Sequence, residues 1–110
     1  MMLYVSGPMS GIEEYNFPAF KAATERLRAA GYKVLCPTEV RMDCGCLGAL
    51  YNCEQKHDWA DFVRADLIAM LRHANAVALL PGWDRSSGAK VEVSVALALG
   101  MRVRELEGWL

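Results

Sequence analysis

No stretch of this chain is long and apolar enough to span a bilayer. A membrane helix needs about 20 predominantly apolar residues, and the most apolar run, Val91 to Leu99, is interrupted by Glu92 and Ser94. Charge of one sign is equally scarce. The 12 Lys and Arg stand against 13 Asp and Glu, for a formal net charge of -1, and without a basic excess the chain lacks the electrostatic footprint that holds duplex nucleic acid. Neither the Walker spacing with its lysine nor the GxGxxG fingerprint occurs, which removes two common phosphate-cradling loops. The start, Met1-Met2-Leu3-Tyr4-Val5, carries no basic leader and runs directly into a strand pattern. The expectation is a cytoplasmic protein whose four cysteines are reduced thiols.

What is present fits one small core. A chain of 110 residues accommodates a single domain, 1–110. Its 54% hydrophobic content is generous for this size and predicts apolar surface buried between subunits, hence a homo-oligomer, a dimer or higher.

Leu3 to Val5 reads as a buried strand, followed by the loop Ser6-Gly7-Pro8-Met9-Ser10-Gly11, whose glycines allow close approach of backbone to a ligand. The next helix begins near Asn16 as N-cap, with Pro18 in its first turn. It repeats Phe20, Ala23, Leu27 and Ala30 at helical spacing and closes at Gly31. Tyr32 to Cys36 is a second strand. From Thr38 to Lys56 the periodicity dissolves in a segment carrying Cys44, Cys46 and Cys53, followed by His57. These are ligand types that zinc prefers, so a zinc-stapled interaction domain is one reading. The spacing lacks paired CxxC, and ordinary thiols in a lid over a site are preferred, with no metal assigned.

His57 to Ala74 reads as a second helix with an apolar stripe of Trp59, Phe62, Val63, Leu67, Met70 and Leu71. Asp66 falls on the same stripe, where a carboxylate needs a partner. Ala76 to Leu80 is a continuous apolar strand of the kind covered on both faces. Pro81-Gly82 ends it, Ser86 or Ser87 caps a third helix, Gly100 closes that helix, and Met101 to Val103 forms a last short strand. The tail, Arg104 to Leu110, is expected to pack on a partner. The order βαβαβαβ predicts an α/β fold, a flavodoxin- or Rossmann-like three-layer sandwich with a small parallel sheet and its ligand site at the carboxyl ends of the strands.

Three loops then share one rim: Ser6 to Gly11, the segment after Cys36, and Trp83 to Gly88. Glu92 lies about a turn and a half into the third helix. A carboxylate in that apolar context is costly unless used, and the helix N-terminus before it suits an anion such as phosphate. An ionised, positioned carboxylate can attack a sugar carbon carrying a good leaving group.

Taken together, Tyr-Val-Ser-Gly-Pro-Met-Ser-Gly, Asn-Phe-Pro-Ala-Phe, Ala-Ala-Gly-Tyr-Lys-Val, Arg-Ala-Asp-Leu, Leu-Leu-Pro-Gly-Trp and Ser-Ser-Gly-Ala-Lys-Val-Glu resemble, in this order, the nucleoside 2-deoxyribosyltransferase superfamily. The similarity is greatest to its short phage and bacterial members, often described only as domains of unknown function. The resemblance implies that Glu92 is the nucleophile forming a glycosyl-enzyme intermediate, that Tyr4 holds it, and that Asp66 contacts the nucleobase and assists its departure. It also implies that Ser86 and Gly88 bind a 5'-phosphate. The remaining substrate-binding candidates are Ser6, Gly7, Met9, Ser10, Gly11 and Asp84.

The departures from the family pattern bear on the substrate. Ser86 stands where the transferases carry an acid that meets the sugar hydroxyl, which favours a phosphorylated substrate. Ser10 stands where some monophosphate hydrolases have an arginine, and Asn75 where many relatives have an acid. Asp84 is either a replacement acid or a turn residue. The expected ligand is a nucleoside or nucleotide small molecule, with no cofactor. The rival reading is a nucleotide-binding module without catalysis.

Overall fold

The computed structural model describes residues 1–9, 11–40 and 59–110. Four strands form one parallel sheet: β1 (Met2–Ser6), β2 (Lys33–Leu35), β3 (Ala76–Leu79) and β4 (Arg102–Glu105), in the order β2-β1-β3-β4. The helices are α1 (Phe17–Ala29), α2 (Trp59–His73) and α3 (Ser87–Ala98). This is the α/β architecture of flavodoxin- and Rossmann-like sandwiches. β1 is central, with β2 on one side and β3 on the other, so successive connections leave it in opposite directions. That reversal opens a crevice at the carboxyl ends of β1 and β3, where such sheets bind ligands.

Strand alternation divides the core in two. Leu3 and Val5 of β1, with Ala76 and Ala78 of β3, face α1 and pack on Phe20, Ala23 and Leu27. Tyr4, Val77 and Leu79 face the opposite layer and pack with Met70 of α2 and Val93 and Ala96 of α3. Both faces of β1 are thereby covered, as its unbroken apolar sequence demands.

Several boundaries and contacts differ from expectation. Ser6 belongs to β1, registered with Leu79, and its carbonyl accepts from the Leu80 amide at 2.8 Å. Asn16 occupies the N-cap position of α1 but does not cap it with its side chain. It is left-handed, with φ 62°, and its Nδ2 donates instead to the Pro8 carbonyl at 3.0 Å. Glu14 and Tyr15 before it are also left-handed, a conformation that costs a non-glycine residue roughly 1–2 kcal/mol. Ala30 is the exposed C-cap of α1 and not part of its buried stripe. On α2 the buried stripe is narrower than read, because Trp59 and Leu71 are about half exposed. β4 lies one residue later and extends further than Met101 to Val103.

Within the tail, Trp109 packs on its own chain, while Leu110 is exposed. Trp109 is buried, and its indole N–H donates to the carbonyls of Val77 at 3.1 Å and Arg104 at 3.3 Å. Tyr32 meets the Trp109 ring edge-on, with ring centroids 6.0 Å apart, and donates its hydroxyl to the Trp109 carbonyl. Asn75 joins β3 to β1 at the amino end of the sheet: its Oδ1 accepts from the Met2 amide at 2.9 Å, and its own amide donates to the Met2 carbonyl at 2.8 Å.

Candidate functional site

The site begins with a spacing. Tyr4 and Ser6 are two apart on β1, so both side chains leave the same face of the sheet, towards α2 and α3. Across from them α3 turns Ala89, Glu92, Val93 and Ala96 inward. The start of that helix is fixed by Ser86, an extended N-cap whose Oγ accepts from the Ala89 amide at 3.2 Å. Five residues on from Ser87 the chain completes nearly a turn and a half, bringing Glu92 over the carboxyl end of β1. Glu92 is 6% exposed. The Tyr4 hydroxyl donates to its Oε2, and Ser6 Oγ donates to its Oε1 at 2.8 Å. Each carboxylate oxygen thus has its own hydroxyl donor, and charge-assisted bonds of this type fix a carboxylate firmly.

Burial pushes the Glu92 carboxyl up to about 7, against the pull of the Tyr4 and Ser6 hydrogen bonds, which favour the ionised form. Asp66, on the inward side of α2, keeps some surface open. Burial and then the nearby Glu92 charge nevertheless raise it to about 8. Tyr4 is held well above its ordinary range by burial and then by the Glu92 charge, so its hydroxyl remains a donor. Two buried carboxyls coupled in this way titrate as a pair, and the last proton stays with the pair into the neutral range. An ionised carboxylate beside a protonated one is an arrangement able to supply a nucleophile and a general acid together.

The other expected residues divide. Ser86 and Gly88 are half-buried at the amino end of α3. A side chain added at Gly88 would meet Val63 and Ser86 only at ordinary contact distance, 3.9 and 4.0 Å, so packing alone does not require glycine there. Asp84 is exposed on the single turn Trp83–Arg85. Gly7 is explained by packing: a Cβ there would stand 2.7 Å from Leu80 Cβ. Met9 packs against the α1-side core, on the face of the sheet away from Glu92. Gly11 is exposed with φ 79°. Ser10, Cys44, Cys46, Cys53 and His57 lie outside the described residues, and among the described residues no group of three potential metal ligands converges.

Ser6 was expected to meet substrate, and its bond to the carboxylate was not foreseen. The signal was available, since a strand that aims Tyr4 at Glu92 aims Ser6 the same way. Cys36 was not singled out, yet its buried thiol contacts Thr38 Oγ1 at 3.1 Å and lies close enough to Tyr4 to act on it electrostatically. A separate groove of about 590 Å³ runs between α1 and the Pro37–Glu39 turn, with Lys21, Arg28 and Glu39 in its walls and none of Tyr4, Asp66 or Glu92. Arg28 and Glu39 pair across it at 2.9 Å.

Residues 1–105 match the family described as a domain of unknown function, DUF4406, and the chain belongs to that family. No curated protein matches the chain.

Proposed function

We propose that this domain cleaves the N-glycosidic bond of a nucleoside, in particular a 2'-deoxyribose one, or of its 5'-monophosphate, through a covalent glycosyl intermediate on Glu92. The observation that carries this reading is the buried Glu92 carboxylate gripped on both oxygens by Tyr4 and Ser6 at the crevice of a parallel sheet. The resemblance of the sequence to nucleoside 2-deoxyribosyltransferases supplies the substrate class.

In the first step a Glu92 oxygen attacks the anomeric carbon. The carbon–nitrogen bond breaks with its electron pair moving to the base, and the Asp66 carboxyl delivers its proton to the departing nitrogen. In the second step water attacks the same carbon, gives a proton to the Asp66 carboxylate and releases the Glu92 carboxylate with the free sugar. An acceptor base in place of water yields transfer. Tyr4 and Ser6 orient the attacking oxygen and spread its charge. The free amides at the start of α3, beside Ser86 and Gly88, suit a 5'-phosphate.

Intact-mass spectrometry with a slow-turnover 2-fluoro nucleoside analogue tests the intermediate. The expected result is a stoichiometric adduct in the native protein and none in Glu92→Ala. A panel of deoxynucleosides and their 5'-monophosphates, with and without an acceptor base, separates hydrolysis from transfer by release of free base or its exchange. Thermal stabilisation by nucleotides with neither adduct nor turnover would assign the domain to the binding-module reading instead.

A further inference from the structure

We infer that Ser6 is a positioning residue for the second half of the proposed reaction: its hydroxyl, 2.8 Å from Glu92 Oε1, draws the carboxylate out of the glycosyl ester and favours that step over the attack that forms it. Under the glycosidase reading, on which this assignment rests, burial creates the need. A carboxyl raised to about 7 is a good nucleophile, because the fold disfavours its charge. For the same reason the fold resists the return of that charge when the ester opens. The second step must regenerate a carboxylate in the same buried place.

Ser6 is held where that charge reappears. It is fully buried, so bulk water does not compete for its hydroxyl. Its backbone is pinned: Ser6 is registered with Leu79, its carbonyl accepts from the Leu80 amide at 2.8 Å, and Leu80 leaves no room for a Cβ at Gly7 directly after it. A hydroxyl on so fixed a strand keeps its aim through the reaction. A hydrogen bond to a carboxylate is stronger than one to a neutral acceptor. On esterification Oε1 becomes either the neutral carbonyl oxygen or the sugar-bonded oxygen, a still weaker acceptor, so the Ser6 bond weakens whichever oxygen attacks. It regains strength as the carbon–oxygen bond breaks with its electron pair returning to Glu92, while water bonds to the anomeric carbon and passes a proton to the Asp66 carboxylate. Ser6 thereby stabilises the departing carboxylate relative to the ester. In the first step the order is reversed, because the free carboxylate already has the full bond and attack gives part of it up. The Ser6 bond pulls in this direction against burial, towards the ionised form of Glu92. Tyr4 holds Oε2 independently, so loss of the Ser6 hydroxyl leaves the other oxygen anchored.

The lifetime of the ester isolates the second step. Native and Ser6→Ala chains are loaded with the 2-fluoro nucleoside analogue, freed of excess analogue and followed by intact-mass spectrometry. Glu92 is esterified at the start, so its own ionisation does not enter. The Ser6→Ala adduct is expected to outlast the native one by about 10-fold, the factor by which a hydrogen bond to a charged acceptor exceeds one to a neutral acceptor. Ser6→Cys returns a weaker donor, and its adduct is expected to fall between the two. A side chain that only tied α3 to β1 would do the opposite when removed, since a looser site admits water and shortens the adduct's life. A Ser6→Ala adduct that decays as fast as the native one, or faster, overturns the inference. So does a Ser6→Ala chain that melts like the native protein yet forms no adduct, because Ser6 would then serve the attack. If Ser6→Ala melts early and does not load, the Ser6→Cys adduct decides, by outlasting the native one or failing to. A native chain that forms no adduct removes the glycosidase reading and the role of Ser6 together, which distinguishes that failure from failure of the role alone.

Discussion

Replacing Glu92 by Gln tests whether the site holds a carboxylate at the expense of the fold. A carboxyl whose value rises on folding keeps its proton in the native state over a range where the unfolded chain has already lost it. The native state therefore binds more protons within that range, and stability falls as pH rises through it. For Glu92 the window runs from 4.5 to about 7, and for Asp66 from 3.8 to about 8. At about 1.4 kcal/mol per pH unit, the Glu92 window amounts to roughly 3 kcal/mol of destabilisation, complete by about pH 8. Gln keeps the shape. Its oxygen accepts from one of the two hydroxyls, and its amide donates to the other, whose oxygen can accept. Glu92→Gln is thus expected to raise stability by roughly 3 kcal/mol at about pH 8 and to leave it nearly unchanged at about pH 4, where both residues are neutral. For a domain of this size that corresponds to a Tm higher by about 10 °C at the alkaline end. Calorimetry or denaturant titration of both proteins across the range measures the difference directly. A stability difference that is flat with pH, or that is largest in acid, would refute the reasoning, because neither follows from a carboxylate desolvated by the fold.

Three further outcomes follow from the same geometry. Tyr4→Phe removes the donor to Glu92 Oε2, so it is expected to raise the Glu92 carboxyl further, cost roughly 1–3 kcal/mol of stability at neutral pH, and shift the acid limb of any pH–rate profile towards higher pH. An unshifted limb would remove Tyr4 from its positioning role. Asp66→Asn cannot donate the proton to a leaving base, so turnover of natural nucleosides is expected to drop about 10²- to 10⁴-fold, while a substrate whose leaving group needs no protonation still loads Glu92. Equal losses on both substrates would count against Asp66 as the acid. Gly7→Ala drives a Cβ to 2.7 Å from Leu80 Cβ and is expected to cost roughly 1–3 kcal/mol as overpacking. Leu80→Ala in the same chain removes Cγ and Cδ1, each 3.1 Å from the added Cβ, and keeps Leu80 Cβ, so it should relieve part of that cost, and a lack of coupling in the double mutant would place the whole strain in the Cβ contact.

What the sequence disclosed and what it withheld divide along physical lines. Elements carried by a repeating pattern were legible: β1 and β3 as unbroken apolar runs, α1 through Phe20, Ala23 and Leu27, α3 through its Ser86 cap. The placing of Tyr4 near Glu92 was legible only through the family resemblance, since 88 residues separate them and no local pattern brings them together. Ser6 was half legible. The period of a strand pairs it with Tyr4, but its position beside Gly7-Pro8 made it look like loop. The packing of Met9 against the α1-side core was not legible, because a single methionine in a glycine- and proline-containing loop carries no periodicity to assign it a face. The left-handed run at Glu14, Tyr15 and Asn16 was illegible, because only Asn16 is of a type that favours that region and nothing in Glu14 or Tyr15 asks for it; the Asn16 bond to Pro8 helps hold the run in place. Trp109 was read as awaiting a partner, since only the folded sheet offers its N–H the carbonyls of Val77 and Arg104.

The two hydroxyls on Glu92 also bear on why a carboxylate stands there at all. If the position served only to tie α3 to β1, a glutamine would make both bonds without an ionisation cost, and an apolar side chain with Phe and Ala opposite would match the rest of the layer. A carboxylate is worse than either for stability near neutral pH, because burial disfavours its charge, and that charge in turn raises Asp66. Under the proposed glycosidase reading, a reaction that uses a carboxylate and a carboxylic acid at one pH gives that cost a use. A substrate that carries developing positive charge at a sugar carbon and needs a proton at its leaving nitrogen draws on both members at once. The cost then falls as the transition state forms, since the positive carbon offsets the buried charge that the empty site leaves uncompensated. Binding of a neutral sugar in its ground state would not relieve that charge, which is why we propose a catalytic site in preference to a binding module.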